Sequence, residues 1–382
     1  MHEGPQRTTL LELFFDLVFV AALALISQSL ASDRTWRGAL HTLILLMAIW
    51  WIWSVTALVT DLYRRQRPPI LPMTIWVMSG SMVMSAAVPK AFAERGFVFA
   101  LAYVAIHLGR GLFLVAALRG QPAQRHAARF LFWFAVSAAP WIAGGLAPRT
   151  AREVLWPLAL VLDYGSARFR YPTPRLGRVP SSQYDVAAEH LAERYQQFFT
   201  LALGTAILAT SLTFAGSAFT SSQALAFAIA FTTTVVLWRL YVHRAGVLLQ
   251  PAIESARDPG RLLRSAPYTH LVMVAGVVVT AAGFESLIGH PTAQLTPSVI
   301  ILVLGGPALF LAGRARFEYE VFTRVSPSRL AGLLALAATA AAIRLLTPLI
   351  AGGVSALILV GIAVADAVRA RRGRPERPSP SL

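Results

Sequence analysis

The sequence predicts an all-α protein, a polytopic transmembrane helix bundle of about twelve helices. Three observations predict it. Hydrophobic residues make up 56% of the 382 residues and charged residues only 14%, where a soluble domain carries roughly 25% charged residues. Apolar runs long enough to cross a bilayer recur along the whole chain. The arginines between those runs collect in alternate loops, as they do when cytoplasmic loops hold a membrane protein in one orientation.

A spanning helix needs about 20 mostly apolar residues, and the runs qualify in order. The first, 9–30, holds Glu12 and Asp16 and has no small-residue cleavage pattern after it, so it reads as a span and not as a cleavable signal peptide. The second, 38–62, carries Trp50-Trp51-Ile52-Trp53 and ends at Arg64, Arg65 and Arg67. Spans 70–89 and 96–118 follow, closed by Arg119 and Arg125. Spans 128–147 and 153–168 come next; the latter is short and contains Pro157, and Arg168, Arg170, Arg175 and Arg178 follow it. Spans 195–217 and 222–246 flank a loop without arginine, as do 267–289 and 297–313. Arg257, Arg261 and Arg264 precede the second of these pairs, and Arg314, Arg316 and Arg324 follow it. The last runs, 328–346 and 350–368, are separated only by Thr347 and Pro348, so they form two helices or one broken helix. Arg369, Arg371, Arg372, Arg374 and Arg377 then close the chain. The alternation requires an even number of spans with both termini cytoplasmic, in a cell (plasma) membrane.

The two halves resemble each other. Ser79-Gly80 with Ser85-Ala86 matches Ala275-Gly276 with Ala281-Ala282, Gly109-Arg110-Gly111-Leu112-Phe113-Leu114 matches Gly306-Pro307-Ala308-Leu309-Phe310-Leu311, and Phe14-Phe15-Asp16-Leu17 matches Phe198-Phe199-Thr200-Leu201. The order and offset of these matches predict two same-orientation six-helix repeats. Residues 1–168 form the first, 169–186 a basic cytoplasmic linker, 187–370 the second, and 371–382 a disordered cytoplasmic tail.

Composition also narrows function. There is no cysteine, which removes disulfides, thiolate metal sites and cysteine nucleophiles. The net charge of +16 is almost wholly arginine, since Lys90 is the only lysine. Arginine placed in loops between apolar runs meets lipid headgroups, so the lipid bilayer and not nucleic acid is the expected partner. No Walker motif, Gly-rich dinucleotide loop, His-x-x-x-His pair or Gly-x-Ser-x-Gly elbow is present. No cofactor or metal is therefore expected, and an ATP-driven pump or a conventional hydrolase is disfavoured.

Charged side chains inside a bilayer each cost roughly 2.5–3.5 kcal/mol on insertion scales, so those that persist are functional candidates. Glu12 and Asp16 are four residues apart and share a helix face; such a pair suits carrying a proton or binding a cation. Against this, Glu12 suits a helix N-terminus at the interface, and Asp16 could pair with an arginine to fix packing. His107 and Arg110 lie three apart in the fourth span, with Arg110 the expected counter-charge of Asp16 or an anion ligand. Secondary candidates are Arg239, which can snorkel to the interface as His243 and Arg244 can, and Glu193 and His190. The last two, with Glu189 and Arg194, also read as an amphipathic interfacial turn entering the seventh helix. Glu285 and His270 suit headgroup depth at opposite ends of the ninth helix. Asp163 and Asp366 read as ordinary ion-pair partners of nearby arginines, and the tryptophan run as structural.

Glu12-Leu13-Phe14-Phe15-Asp16-Leu17-Val18-Phe19-Val20 resembles the N-terminal signature of the bacterial low temperature requirement A (LtrA) family. His190-Leu191-Ala192-Glu193-Arg194-Tyr195, leading to Leu203-Gly204, is similar to that family's His-x-x-Glu-Arg-Phe segment and the Leu-Gly-Glu-Ser that follows. Trp238-x-x-Tyr241 resembles its Trp-Trp-x-Tyr, and Tyr268-Thr269-His270-Leu271 with Met273-Val274-Ala275-Gly276 matches a further stretch. The chain departs from the pattern at Thr205-Ala206, where many relatives carry Glu-Ser, and at Arg239, where a tryptophan is usual. The family name reports a cold-growth phenotype, not a chemical activity.

Two functions follow as expectations. One is a secondary transporter, coupled to protons or not, of a small solute or ion, with Asp16 and Glu12 as the coupling site, Arg110 opposite and His107 modulating protonation. The alternative is a membrane-embedded lipid-handling protein or enzyme linked to cold adaptation, with its site at Glu189, His190, Glu193 and Arg194. A scaffold or sensor without substrate is a third reading.

Overall fold

The computed structural model describes residues 10–63, 70–180, 188–242, 259–343 and 346–372, apart from the side chains of 188–190, 259–261, 263, 264 and 372. Among the described residues there are twelve helices and no strand. They are α1 (Leu10–Ser32), α2 (Trp36–Leu62), α3 (Ile70–Ala87, continued by a 3-10 turn to Lys90), α4 (Gly96–Ala117), α5 (Gln124–Leu146) and α6 (Arg149–Arg168). Then follow α7 (Ala188–Ala215), α8 (Ser221–Tyr241), α9 (Pro259–Gly289), α10 (Pro297–Phe322), α11 (Pro327–Ala342) and α12 (Pro348–Arg372). Ten of them are long and apolar enough to cross a membrane; α6 is too polar and α11, at 16 residues, too short by that measure.

Local chemistry sets the helix starts. Thr220 closes a reciprocal capping box with Gln223 ahead of α8, and Thr296 accepts from the Val299 N–H ahead of α10. Helices α10, α11 and α12 each begin on a proline, where the missing N–H would have had no partner. The last two predicted spans are therefore two helices. Two boundaries differ from the sequence expectation in ways that matter. Helix α7 starts at Ala188, so Arg194 lies inside a helix, and α10 continues past 313 to Phe322, so Arg314 belongs to a helix and is fully buried.

The chain forms two compact units. The first comprises Met1–Ile26 and Leu40–Arg194, the second Ser27–Ala39 and Tyr195–Leu382. In the first unit α2 is the central helix. Its span is 83% buried, against 39% for α1, as expected of a helix that is apolar all round. Aromatic rings fill the space around it: Trp51 stacks on Tyr164 at 4.1 Å, and Trp156 packs against Phe92, Phe99 and Trp141. Arg152 staples the end of this unit by donating to the carbonyls of Ala91 and Ala93 between α3 and α4, and to Gly144, Gly145 and Ala147 at the end of α5.

In the second unit α9 and α10 approach through small residues. A Cβ on Gly276 would lie 2.4 Å from the Phe310 backbone nitrogen, and one on Gly306 would lie 2.5 Å from that of Thr280. Backbones this close need glycine on both helices. Residues 301–305 of α10 form a π-turn just before Pro307. Pro307 has no N–H for the Val303 carbonyl, and Ser355 Oγ of α12 points at that carbonyl from 3.5 Å.

Candidate functional site

In the first unit, α1 turns Leu13, Phe14 and Leu17 outward and Phe15, Asp16 and Phe19 inward. The four-residue spacing of Glu12 and Asp16 thus puts both carboxylates toward the unit's interior. Asp16 is fully buried. Its Oδ1 accepts from Trp53 Nε1 of α2 at 2.8 Å and from Arg194 Nη2 of α7 at 2.8 Å, and its Oδ2 has no hydrogen-bond partner among the described residues. Arg194 is equally buried, with Nη1 3.4 Å from Glu12 Oε1 and its guanidinium over the rings of Phe15 and Trp53. A buried carboxylate persists only when paired and hydrogen-bonded, and here a guanidinium and an indole meet that requirement.

Arg110 does not pair with Asp16, as the sequence had suggested. It lies on α4, donates from Nη1 to Thr56 Oγ1 at 2.7 Å and from Nη2 to His107 Nδ1 at 2.6 Å, and sits over Phe134. A guanidinium only donates, so His107 Nδ1 is the acceptor and the neutral ring carries its proton on Nε2. That ring stacks on Phe134 and lies 4.5 Å from Tyr103, whose hydroxyl donates to Asp163. Asp163 accepts also from Trp141 Nε1. Its hydrogen-bond partners are thus a tyrosine and a tryptophan from the unit's core, not the arginines that follow it in sequence.

A cavity of about 150 Å³ lies among α1, α2, α3 and the first turns of α7, lined by Leu11, Glu12, Phe15, Thr56, Thr60, Ile70, Thr74 and Arg194. These residues come from the start of α1, the end of α2 and the start of α3, so the cavity lies near one end of those helices. At 1.5 Å per residue, it reaches on the order of 9 Å in from the helix ends. Thr56 joins it to Arg110, and Arg194 joins it to Asp16.

The secondary candidates are scattered. Arg239 is exposed in the last turn of α8, and Glu193 is half-buried. The side chain of His190, like His243 and Arg244, lies outside the described residues. His270 is buried in the second unit, with Nε2 3.1 Å from the Tyr241 hydroxyl and Nδ1 2.9 Å from the Ala266 carbonyl. Asp366 pairs with buried Arg329 of α11. Among the described residues no group of three or more His, Cys, Asp or Glu side chains could hold a metal ion. Sequence reasoning missed Arg194 and Trp53 as partners of Asp16. A basic residue next to Glu193 reads as surface, and a tryptophan in an aromatic run reads as packing.

The fold and this site define a class: a multi-pass helical membrane protein with a charged cluster buried beneath a small polar-and-apolar cavity. Residues 7–364 match the family model described as "Bacterial low temperature requirement A protein (LtrA)", and the chain belongs to that family. It is 35% identical over 360 residues to an uncharacterized protein, RA0937, of Rhizobium meliloti (strain 1021), covering 92% of this chain and 87% of the relative. No solved structure matches it. The segments holding Glu12 and Asp16 and holding Arg194, on which the family resemblance rests, are the ones that meet at the ion pair.

Proposed function

We propose that the protein is a secondary transporter of a small solute, coupled to protons through Asp16, with both termini cytoplasmic and two six-helix repeats. One observation carries the reading: a fully buried carboxylate, bound through one oxygen to Arg194 and Trp53, stands behind a cavity that Arg194 itself lines. Oδ2 is the oxygen that takes the proton, since Oδ1 already accepts two hydrogen bonds. A proton there cancels the charge that holds Arg194. The guanidinium then keeps its contact with Glu12, already 3.4 Å from Nη1, and its Nη2 is released toward a ligand in the cavity. Removing the proton pulls it back. This exchange links a proton to the state of the cavity without a nucleotide or a metal. Arg110 and His107, joined to the cavity through Thr56, hold the α4 side of the site.

Proton flux into proteoliposomes, followed with a pH-sensitive dye, tests the reading. The native chain is expected to carry protons under an imposed gradient and Asp16→Asn is expected not to, while both remain folded. Equal flux through the two proteins, or none through either under any gradient, sinks it. Lipid co-purifying at stoichiometric level with a flux-silent protein would favour the lipid-handling alternative.

A further inference from the structure

We infer that one end of the first unit is a binding surface for an anionic phospholipid. Its phosphate lies on the arginines of the α4–α5 connection and of the segment after α6, and its acyl chains run along the outer face of α5. Binding there does not depend on transport.

The chain gathers positive charge at this end and leaves it unanswered. Arg119 and Arg125 flank the connection from α4 to α5, and Arg168, Arg170, Arg175 and Arg178 lie at the end of α6 and in the segment after it. Arg170 is half-buried and the others are exposed. Residues 119–129 and 168–180 contain no Asp or Glu. Among the described residues none of these arginines meets a carboxylate, whereas Arg194, Arg316 and Arg329 each do. The first two turns of α5 carry Arg125 and Arg129 and no acid, although the helix dipole favours negative charge there. Like charges held together repel, and an anion from outside the chain compensates them.

Packing holds the cluster in place. Tyr171 is buried against Phe130, edge to face at 4.4 Å. Arg129 Nη2 donates to the Leu176 carbonyl at 2.5 Å, and Trp133 Nε1 donates to that of Pro172 at 3.0 Å. The N–H of buried Val179 donates to the Arg170 carbonyl at 2.9 Å. These contacts lay the segment after α6 on the start of α5 and bring arginines from two connections to one end of the unit. Arg170, Tyr171 and Arg175 take left-handed backbone, with φ of 62°, 50° and 62°, a conformation unfavourable for residues with a Cβ. The hold on α5 overcomes both that cost and the repulsion.

The exposed face of α5 turns apolar away from this end. Phe132 and Val136 follow Arg125 by seven and eleven residues, which at 3.6 residues per turn puts all three in one stripe, and all three are exposed. Ala139 and Ala143 are exposed further along it. At 1.5 Å per residue, Phe132 lies about 10 Å and Val136 about 16 Å from the level of Arg125. A phosphate at the arginines therefore leaves its acyl chains beside this stripe. A soluble polyanion would use the arginines and not the stripe. A zwitterionic lipid would use the stripe and bring a cation to the arginines. An anionic phospholipid uses both, and guanidinium forks match phosphate oxygens.

Native mass spectrometry of the purified full-length chain in detergent tests this, with phosphatidylglycerol and phosphatidylcholine of identical chains as probes. The native protein is expected to bind phosphatidylglycerol about tenfold or more tightly than phosphatidylcholine, and less so as ionic strength rises. The triple variant Arg125→Gln, Arg175→Gln, Arg178→Gln should weaken phosphatidylglycerol by about tenfold or more. The control triple Arg95→Gln, Arg149→Gln, Arg371→Gln has the same net charge and should not. Its arginines are exposed, and Arg95 and Arg149 stand at the starts of α4 and α6, opposite the ends that carry Arg119 and Arg168. If the first triple does not fold, Arg125→Gln with Arg178→Gln is compared with Arg95→Gln with Arg149→Gln, and the same contrast is expected. Equal binding of the two lipids overturns the inference. So does an equal loss in the paired variants, which would leave only net charge at work. Heparin bound through these arginines by a protein that retains no phosphatidylglycerol would also overturn it and assign the surface to a soluble polyanion.

Discussion

Replacing Arg194 by methionine removes the cation that Asp16 binds among the described residues, while keeping an unbranched side chain of similar reach. In the native protein both partners are essentially unexposed, at 1% and 0%, so solvent does little to screen the pair. Asp16 would keep one hydrogen bond, from Trp53 Nε1. Breaking a buried ion pair from one side costs roughly 3–5 kcal/mol, because the remaining charge is stranded. Losing the guanidinium from above Phe15 and Trp53 adds about 0.5–2 kcal/mol. The Asp16→Asn change in the Arg194→Met background removes the stranded charge and keeps an acceptor for Trp53. The double variant should therefore recover most of the loss, and the two substitutions should be strongly non-additive. Unfolding in mixed micelles, titrated with denaturing detergent and followed by tryptophan fluorescence, measures each corner of the cycle. An Arg194→Met protein within about 0.5 kcal/mol of native, the range of an ordinary surface substitution, would refute the reasoning. So would a double variant no more stable than the single one.

Other perturbations probe the same logic elsewhere. Trp53→Phe keeps the ring and removes one hydrogen bond to a charged carboxylate, so a loss of about 1.5–3 kcal/mol is expected in the same unfolding assay; no change would mean that the indole–carboxylate contact contributes nothing. Arg152→Lys keeps the charge but cannot span carbonyls from two connections with a planar fork. Faster proteolysis between α3 and α4 is the expected sign, and native cleavage kinetics would argue against a stapling role. Gly276→Ala must displace the Phe310 backbone, whereas a Cβ on Gly353 meets, among the described residues, only Ile229 Cδ1 at 3.8 Å. The first should lower the thermal midpoint and the second should not; equal midpoints would show that α9 and α10 do not pack through that glycine.

The resemblance between sequence and structure is uneven in an instructive way. The apolar runs were legible because bilayer thickness imposes a length on any spanning helix, and the proline and threonine starts of α8, α10, α11 and α12 were set by local capping chemistry. The facing of Glu12 and Asp16 was likewise legible, since helical spacing is a local property. Their partner was not. Arg110 and Arg194 are equally plausible on paper, and the nearer one in sequence, in the interior of an apolar run, looked the better candidate. Arg194, beside Glu193 at a presumed interface, looked like surface.

The sequence by itself determined the class of this protein: helical, multi-pass and of the LtrA family, with charges in its apolar segments that need partners. Only the tertiary structure decided which charges meet. Asp16 and Arg194 are separated by 178 positions. No helical period or loop signal spans that distance; the pairing is fixed by how α1, α2 and the start of α7 pack in one unit. The same packing turned Trp53 from a packing residue into a donor, gave Asp163 a tyrosine and a tryptophan in place of an arginine, and left the cavity beside Glu12. Sequence patterns report what each segment must bury, whereas a site is made by the segments that bury it together.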